Sequence, residues 1–124
     1  MPSSGTVFVV DDDLASALSL QALLEAYGFD VRTFASAEEF LGAYDGRQQG
    51  CLVLDLRLPG MSGLELQREL IARNWRLPVI MISGHADRQS HFQAVENGAA
   101  DFIEKPFSGA DLFEAIRRAT ADEE

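Results

Sequence analysis

Four places in this 124-residue sequence carry side chains that a purely structural role does not require. Asp11, Asp12 and Asp13 follow the apolar run TVFVV, and Asp55 ends the run CLVL. Ser83 ends PVIMI, and Lys105 follows DFIE. Each has an ordinary explanation by itself. One of Asp12 and Asp13 is the natural N-cap of a following helix. Ser83 alone reads as a strand-end hydroxyl, and Lys105 alone as a solvated turn residue. Asp55 fits such an account worst, because Leu-Arg-Leu-Pro follows it and there is no helix to cap. The combination carries the signal. Two carboxylates about 4 Å apart repel by roughly 4 kcal/mol at an effective dielectric near 20. Such crowding raises at least one pKa, and a divalent cation relieves it. All-oxygen donors with one or two direct carboxylates suit Mg²⁺. Zinc has no comparable set: Cys51 lies inside an apolar run, and His85 and His91 lack partners at ligand spacing. A hard cation, a hydroxyl and a lysine around a carboxylate form a phosphoryl-transfer set, in which the carboxylate can be the nucleophile. Lys105 is the one lysine among ten basic residues, a compact point charge that an arginine does not reproduce.

The elements that must position these residues alternate regularly. Strands are expected over Thr6 to Val10, Phe29 to Phe34, Cys51 to Leu54, Pro78 to Ile82 and Asp101 to Glu104. The first helix carries Leu14, Ala17, Leu18, Leu24 and Tyr27, and Gly28 closes it. Ser36 with Glu39, and Ser62 with Glu65, have capping-box spacing and open the second and third helices. The third carries Leu64, Leu66, Leu70 and Ile71. A weaker fourth helix over Ala86 to Asn97 has Phe92 and Val95 as its main apolar anchors. Ser108 caps a fifth helix whose stripe is Leu112, Ala115, Ile116 and Ala119, with Phe113 and Arg117 off that stripe. Strand–helix alternation with short connections predicts one parallel sheet covered on both faces. In such sheets the ligand site lies at the carboxyl ends of the strands, where all four clusters then converge.

Composition sets the limits. Hydrophobic residues at 47% and charged residues at 24% are those of a folded domain. A formal charge of −10 argues against a nucleic-acid partner. No apolar run approaches the roughly 20 residues of a membrane span, and Met1 to Gly5 has no signal-peptide pattern. One cysteine forms no intrachain disulfide, so a reducing cytoplasm is expected. Residues 1–5 read as a flexible leader, 6–121 as the folded domain and 122–124 as an acidic tail.

The motifs VFVVDDD, LDLRLPGMSGLEL, PVIMISGHAD and GAADFIEKPF, in this order and spacing, closely resemble receiver domains of bacterial two-component response regulators, nearest the FixJ-like group. The resemblance runs from about Thr6 to Ala119. It implies a flavodoxin-like α/β fold, a doubly wound five-stranded parallel sheet in the order 2-1-3-4-5 with five helices. It implies phosphorylation of Asp55 by a sensor histidine kinase. It implies Mg²⁺ or Mn²⁺ held by Asp12, by Asp11 through water, by Asp55 and by the backbone carbonyl of Arg57. Ser83, Lys105 and Phe102 take the switch and phosphoryl-contact positions, and Lys105-Pro106 is expected cis. Ser83 stands where threonine is commoner, and Phe102 lacks the hydroxyl of the more familiar tyrosine. Arg57 and His85 are placed to tune phosphoryl lifetime. A homodimer when phosphorylated, through the face of the fourth helix, fifth strand and last helix, would use Phe113 and Arg117. Transcriptional control would act through an output domain outside this chain. A phosphatase with an aspartyl nucleophile would want a second acid two residues after Asp55, where Arg57 stands. A flavodoxin-like cofactor carrier would want a phosphate-cradling loop where three aspartates stand. A single-domain phosphorelay intermediate is the remaining alternative, and a receiver that cannot be phosphorylated fits poorly with the complete set.

Overall fold

The computed structural model describes residues 5–84 and 88–121. The expected leader, apart from Gly5, and the tail lie outside the described residues, as do His85 and the first residues expected in the fourth helix. The elements run β1 (Thr6–Val10), α1 (Leu14–Ala26), β2 (Asp30–Phe34), α2 (Ala37–Ala43), β3 (Gly50–Asp55), α3 (Gly63–Ala72), β4 (Val79–Ser83), α4 (Arg88–Glu96), β5 (Asp101–Glu104) and α5 (Gly109–Thr120). All neighbouring strands pair in parallel, in the order β2-β1-β3-β4-β5.

Both faces of the sheet are covered, which is why the central strands are apolar without alternation. Phe8, Val10, Leu52, Leu54, Val79 and Met81 join Ala37, Phe40, Leu66, Leu70 and Ala94 in one cluster, under α2, α3 and α4. Val7, Val9, Cys51, Val53, Ile80 and Ile82 join Leu20, Leu24, Leu112, Ala115 and Ile116 in the other, under α1 and α5. The twofold alternation of a strand thus divides one continuous apolar run between two cores.

The caps follow the sequence with one shift. Of the two aspartates expected to cap α1, Asp13 does so, accepting from the Ala15 N–H at 3.1 Å; the one shift is at α2. Ser62 and Glu65 form a complete capping box on α3. Ser36 accepts from the Glu39 N–H, but the Glu39 carboxylate accepts from Ala35 rather than from Ser36. Ser108 caps α5.

The helices depart from their expected phases. In α1, Leu14 and Leu18 are exposed while Leu20 is buried, because apolar residues surround that helix and its phase is set by packing. In α4, Phe92 and Val95 are 64% and 54% exposed, so they do not anchor it; the buried residue is Ala94. A methyl group lets α4 approach β4 and β5, and turns the larger side chains outward. Ile71 of α3 is likewise exposed, while Gln67 is buried.

Candidate functional site

The parallel ladder continues past the strand ends and fixes the residues beyond them. The Asp11 N–H donates to Phe34 O, Leu56 N–H to Ile82 O, and Lys105 N–H to Ser83 O at 2.7 Å. Asp11, Asp55, Ser83 and Lys105 are therefore held at one edge by backbone hydrogen bonds. Gly63 brings α3 against that edge: a Cβ there would stand 2.7 Å from the Asp55 carbonyl oxygen.

Asp55 is the centre of the arrangement. Its side chain is 15% exposed, and Lys105 Nζ lies 3.5 Å from Oδ2. The Arg57 N–H donates to Oδ1 at 2.9 Å. Asp11 is buried, and its Oδ1 accepts the Asp13 N–H at 2.9 Å. Burial pushes the Asp11 carboxyl above the usual aspartate range; the Asp13 hydrogen bond opposes this, Asp55 adds repulsion, Lys105 offsets part of it, and Asp12 repels more weakly. Asp12 is exposed beside it, Arg57 is exposed, and Ser83 is buried at the end of β4. The Lys105–Pro106 bond is cis.

This edge suits a hard cation. The Asp11 carboxyl, raised in pKa first by burial and then by Asp55, would be favoured in its charged form by a nearby cation. Among the described residues no three His, Cys, Asp or Glu side chains close into a cage. Mg²⁺ does not need one, since it binds one or two carboxylates and keeps several waters. Asp11 and Asp55, coupled electrostatically at this edge, are two carboxylates of the kind such an ion takes. No acid stands in the phosphatase position, where Arg57 contributes its N–H to Asp55.

Phe102 packs against the cluster beneath α2, α3 and α4. It is half-buried, and its ring lies flat against His91 of α4, with centroids 4.1 Å apart and planes 7° apart. Sequence reasoning missed this pair, because a histidine on a polar helix gives no sign of facing a strand. The expected patch of Phe113 and Arg117 is corrected. Phe113 stacks on Tyr27 at 4.8 Å and meets Phe29 at 5.8 Å, so it belongs to a seam between α5 and α1. Gly109 tightens that seam, since a Cβ there would stand 2.8 Å from Leu23. Arg117 remains exposed and pairs with Glu114 on its own helix at 2.7 Å. The aromatic pair flanking Gly28, Tyr27 and Phe29, was the signal that could have placed Phe113.

Fold and site together define a doubly wound α/β protein whose switch point holds carboxylates and a lysine in place of a phosphate-cradling loop. The chain belongs to the response regulator receiver domain family, whose sequence profile matches residues 7–117. It is 45% identical over 119 residues to the transcriptional regulatory protein TdiR of Thauera aromatica, covering 96% of this chain and 52% of that protein. It is 47% identical over 117 residues to the transcriptional regulatory protein FixJ of Azorhizobium caulinodans, covering 94% and 56%. A crystal structure of FixJ-N superposes with a TM-score of 0.92 at 43% identity, covering 98% of this chain and 96% of that one. The chain spans about half the length of these curated relatives. Receiver domains are signalling proteins phosphorylated by sensor histidine kinases, and they generally use Mg²⁺ for that reaction. Among the described residues no helix is long and apolar enough to cross a membrane.

Proposed function

We propose that this receiver is a cytoplasmic switch in which Asp55 takes a phosphoryl group from the phosphohistidine of a sensor kinase. The observation that carries the reading is the setting of Asp55: a shielded carboxylate with Lys105 Nζ 3.5 Å from one oxygen and the Arg57 N–H on the other. An Asp55 oxygen attacks phosphorus, the P–N bond to the donor imidazole breaks, and the leaving nitrogen keeps the electron pair and takes up a proton. The Lys105 ammonium neutralises charge on the transferred group. Asp12, Asp55 and the Arg57 carbonyl, with Asp11 through water, would hold Mg²⁺, which when bound would further neutralise the phosphoryl oxygens. The Ser83 hydroxyl then donates to a phosphoryl oxygen, and Phe102 turns toward the space that Ser83 leaves. Arg57 and His85 shape the access of water to the acyl phosphate, which the domain hydrolyses itself.

Two surfaces serve partners. A groove of about 510 Å³ opens beside Asp11 and Lys105, lined by Ala15, Ser19, Leu20, Leu23 and Phe107, and leaves the site reachable by a phosphoryl donor. The output surface is the face of α4, β5 and α5. Its apolar part is the exposed pair Phe92 and Val95, and phosphorylation favours a homodimer there. The folded receiver spans residues 6–121, and in the whole protein it governs an output domain that regulates transcription.

Acetyl phosphate with Mg²⁺ tests the chemistry. Intact mass should show one added phosphoryl group, labile to hydroxylamine, and Asp55→Asn should add none. Equal labelling of both chains would place the acceptor elsewhere.

A further inference from the structure

Helix α4 is fastened at two unlike points. In its C-terminal half, away from the carboxyl edge, Gln67 of α3 donates from Nε2 to the Ala94 carbonyl at 2.9 Å and accepts from Asn97 Nδ2 at 3.5 Å. Gln67 is 2% exposed, so this clasp is sheltered from water. In its N-terminal half, His91 is exposed and lies flat on the half-buried Phe102 ring. The first fastening joins helix to helix and involves no residue of the switch. The second joins α4 to the very ring that moves.

We propose that His91 is a positioning residue that holds the Phe102 ring against α4, so that this stack opens when the ring turns toward Ser83. The inference rests on the reading of Phe102 as the moving ring. A contact present in one of two states shifts their balance only by the stabilisation it gives that state. For an aromatic pair this amounts to roughly a 2- to 12-fold change in the ratio of states. Because Gln67 keeps the far end of α4 attached, opening the stack swings the helix rather than freeing it. The exposed Phe92 and Val95 lie on the same helix and move with it, which connects the stack to the output surface.

The test compares wild type, His91→Ala, His91→Leu and His91→Phe, each checked for folding by its melt. In the unlabelled wild type, the Phe102 ring resonances, identified by their loss in Phe102→Leu, should be shifted upfield by the facing imidazole. They should lose that shift when Asp55 is labelled with acetyl phosphate and Mg²⁺. His91→Ala and His91→Leu should lose it before labelling and be labelled roughly 2- to 12-fold faster. His91→Phe, which restores a flat ring, should return the labelling rate to the wild-type value. Equal rates in all four chains, or a Phe102 resonance that labelling does not move, would overturn the latch while leaving Asp55 the acceptor. Absence of labelling in the wild type would instead overturn the receiver chemistry, and the latch with it.

Discussion

Helices α4 and α5 lie on opposite faces of the sheet near its β5 edge and are held there in different ways. α5 buries Leu112, Ala115 and Ile116 against β3 and β4, and closes its flank on α1 through Phe113. Full burial of a leucine or isoleucine side chain contributes about 1.5–3 kcal/mol. α4 buries Ala94 and leaves Phe92 and Val95 in solvent, so its place rests on the Gln67 clasp and the His91–Phe102 stack. The ion pair between Arg118 and Asp101 at 3.0 Å further ties α5 to β5. One helix is therefore part of the frame, and its neighbour is free to shift at low cost. On the proposed reading, a domain that reports a change at Asp55 on a distant surface needs both.

The contrast can be broken by mutation, beginning with the frame. Ile116→Ala should destabilise the fold by about 2–5 kcal/mol, the usual loss for a buried large-to-small change. Phe92→Ala, on the exposed side of α4, should stay within about 0.5 kcal/mol in denaturant titrations. Similar losses for the two would mean that α4 is packed as firmly as α5. Gln67→Ala removes one partner of a buried hydrogen bond and should cost about 1–3 kcal/mol. Its effect on hydrogen exchange should concentrate in α4; an even increase across both helices would make the clasp part of the general core.

The smallest effect belongs to the site. The folded-state pKa of Asp11 is raised, chiefly by burial, so the native state binds more protons than the unfolded state above the ordinary value of 3.8. Stability from this group therefore falls as pH rises through that window, and the residue works against folding at neutral pH. Asp11→Asn should melt higher than wild type at pH 7, and the gap should vanish below about pH 3.8, where both states are protonated. Millimolar Mg²⁺ should raise the wild-type melting temperature, since a ligand of the native state stabilises it, and should do less for Asp11→Asn. A wild-type melt unmoved by Mg²⁺ would remove the cation from the site.

Much of this was legible in the sequence because buried parallel strands write themselves as unbroken apolar runs. TVFVV, CLVL and PVIMI could be placed from those runs alone, and the polar residues ending them marked the edge where Asp55 meets Lys105. The helices were harder. α1 is apolar on more than one side, so Leu14 and Leu18 looked as suitable for the core as Leu20. α4 offered Phe92 and Val95 as anchors, but its buried contact is a methyl group, a signal too small to set a phase. The contacts Phe113–Tyr27, Gln67–Ala94 and His91–Phe102 join distant elements, and they depend on helix rotations that no local pattern encodes.

Hydrogen exchange before and after labelling tests the central claim most directly, that a phosphoryl group on Asp55 is reported through α4 while α5 stands still. With acetyl phosphate and Mg²⁺, amide exchange across α4 should change clearly, while the amides of Leu112 to Ile116 keep their protection, and Asp55→Asn should show neither effect. Unchanged exchange in α4 of the fully labelled protein, or the same change in Asp55→Asn, would contradict the account.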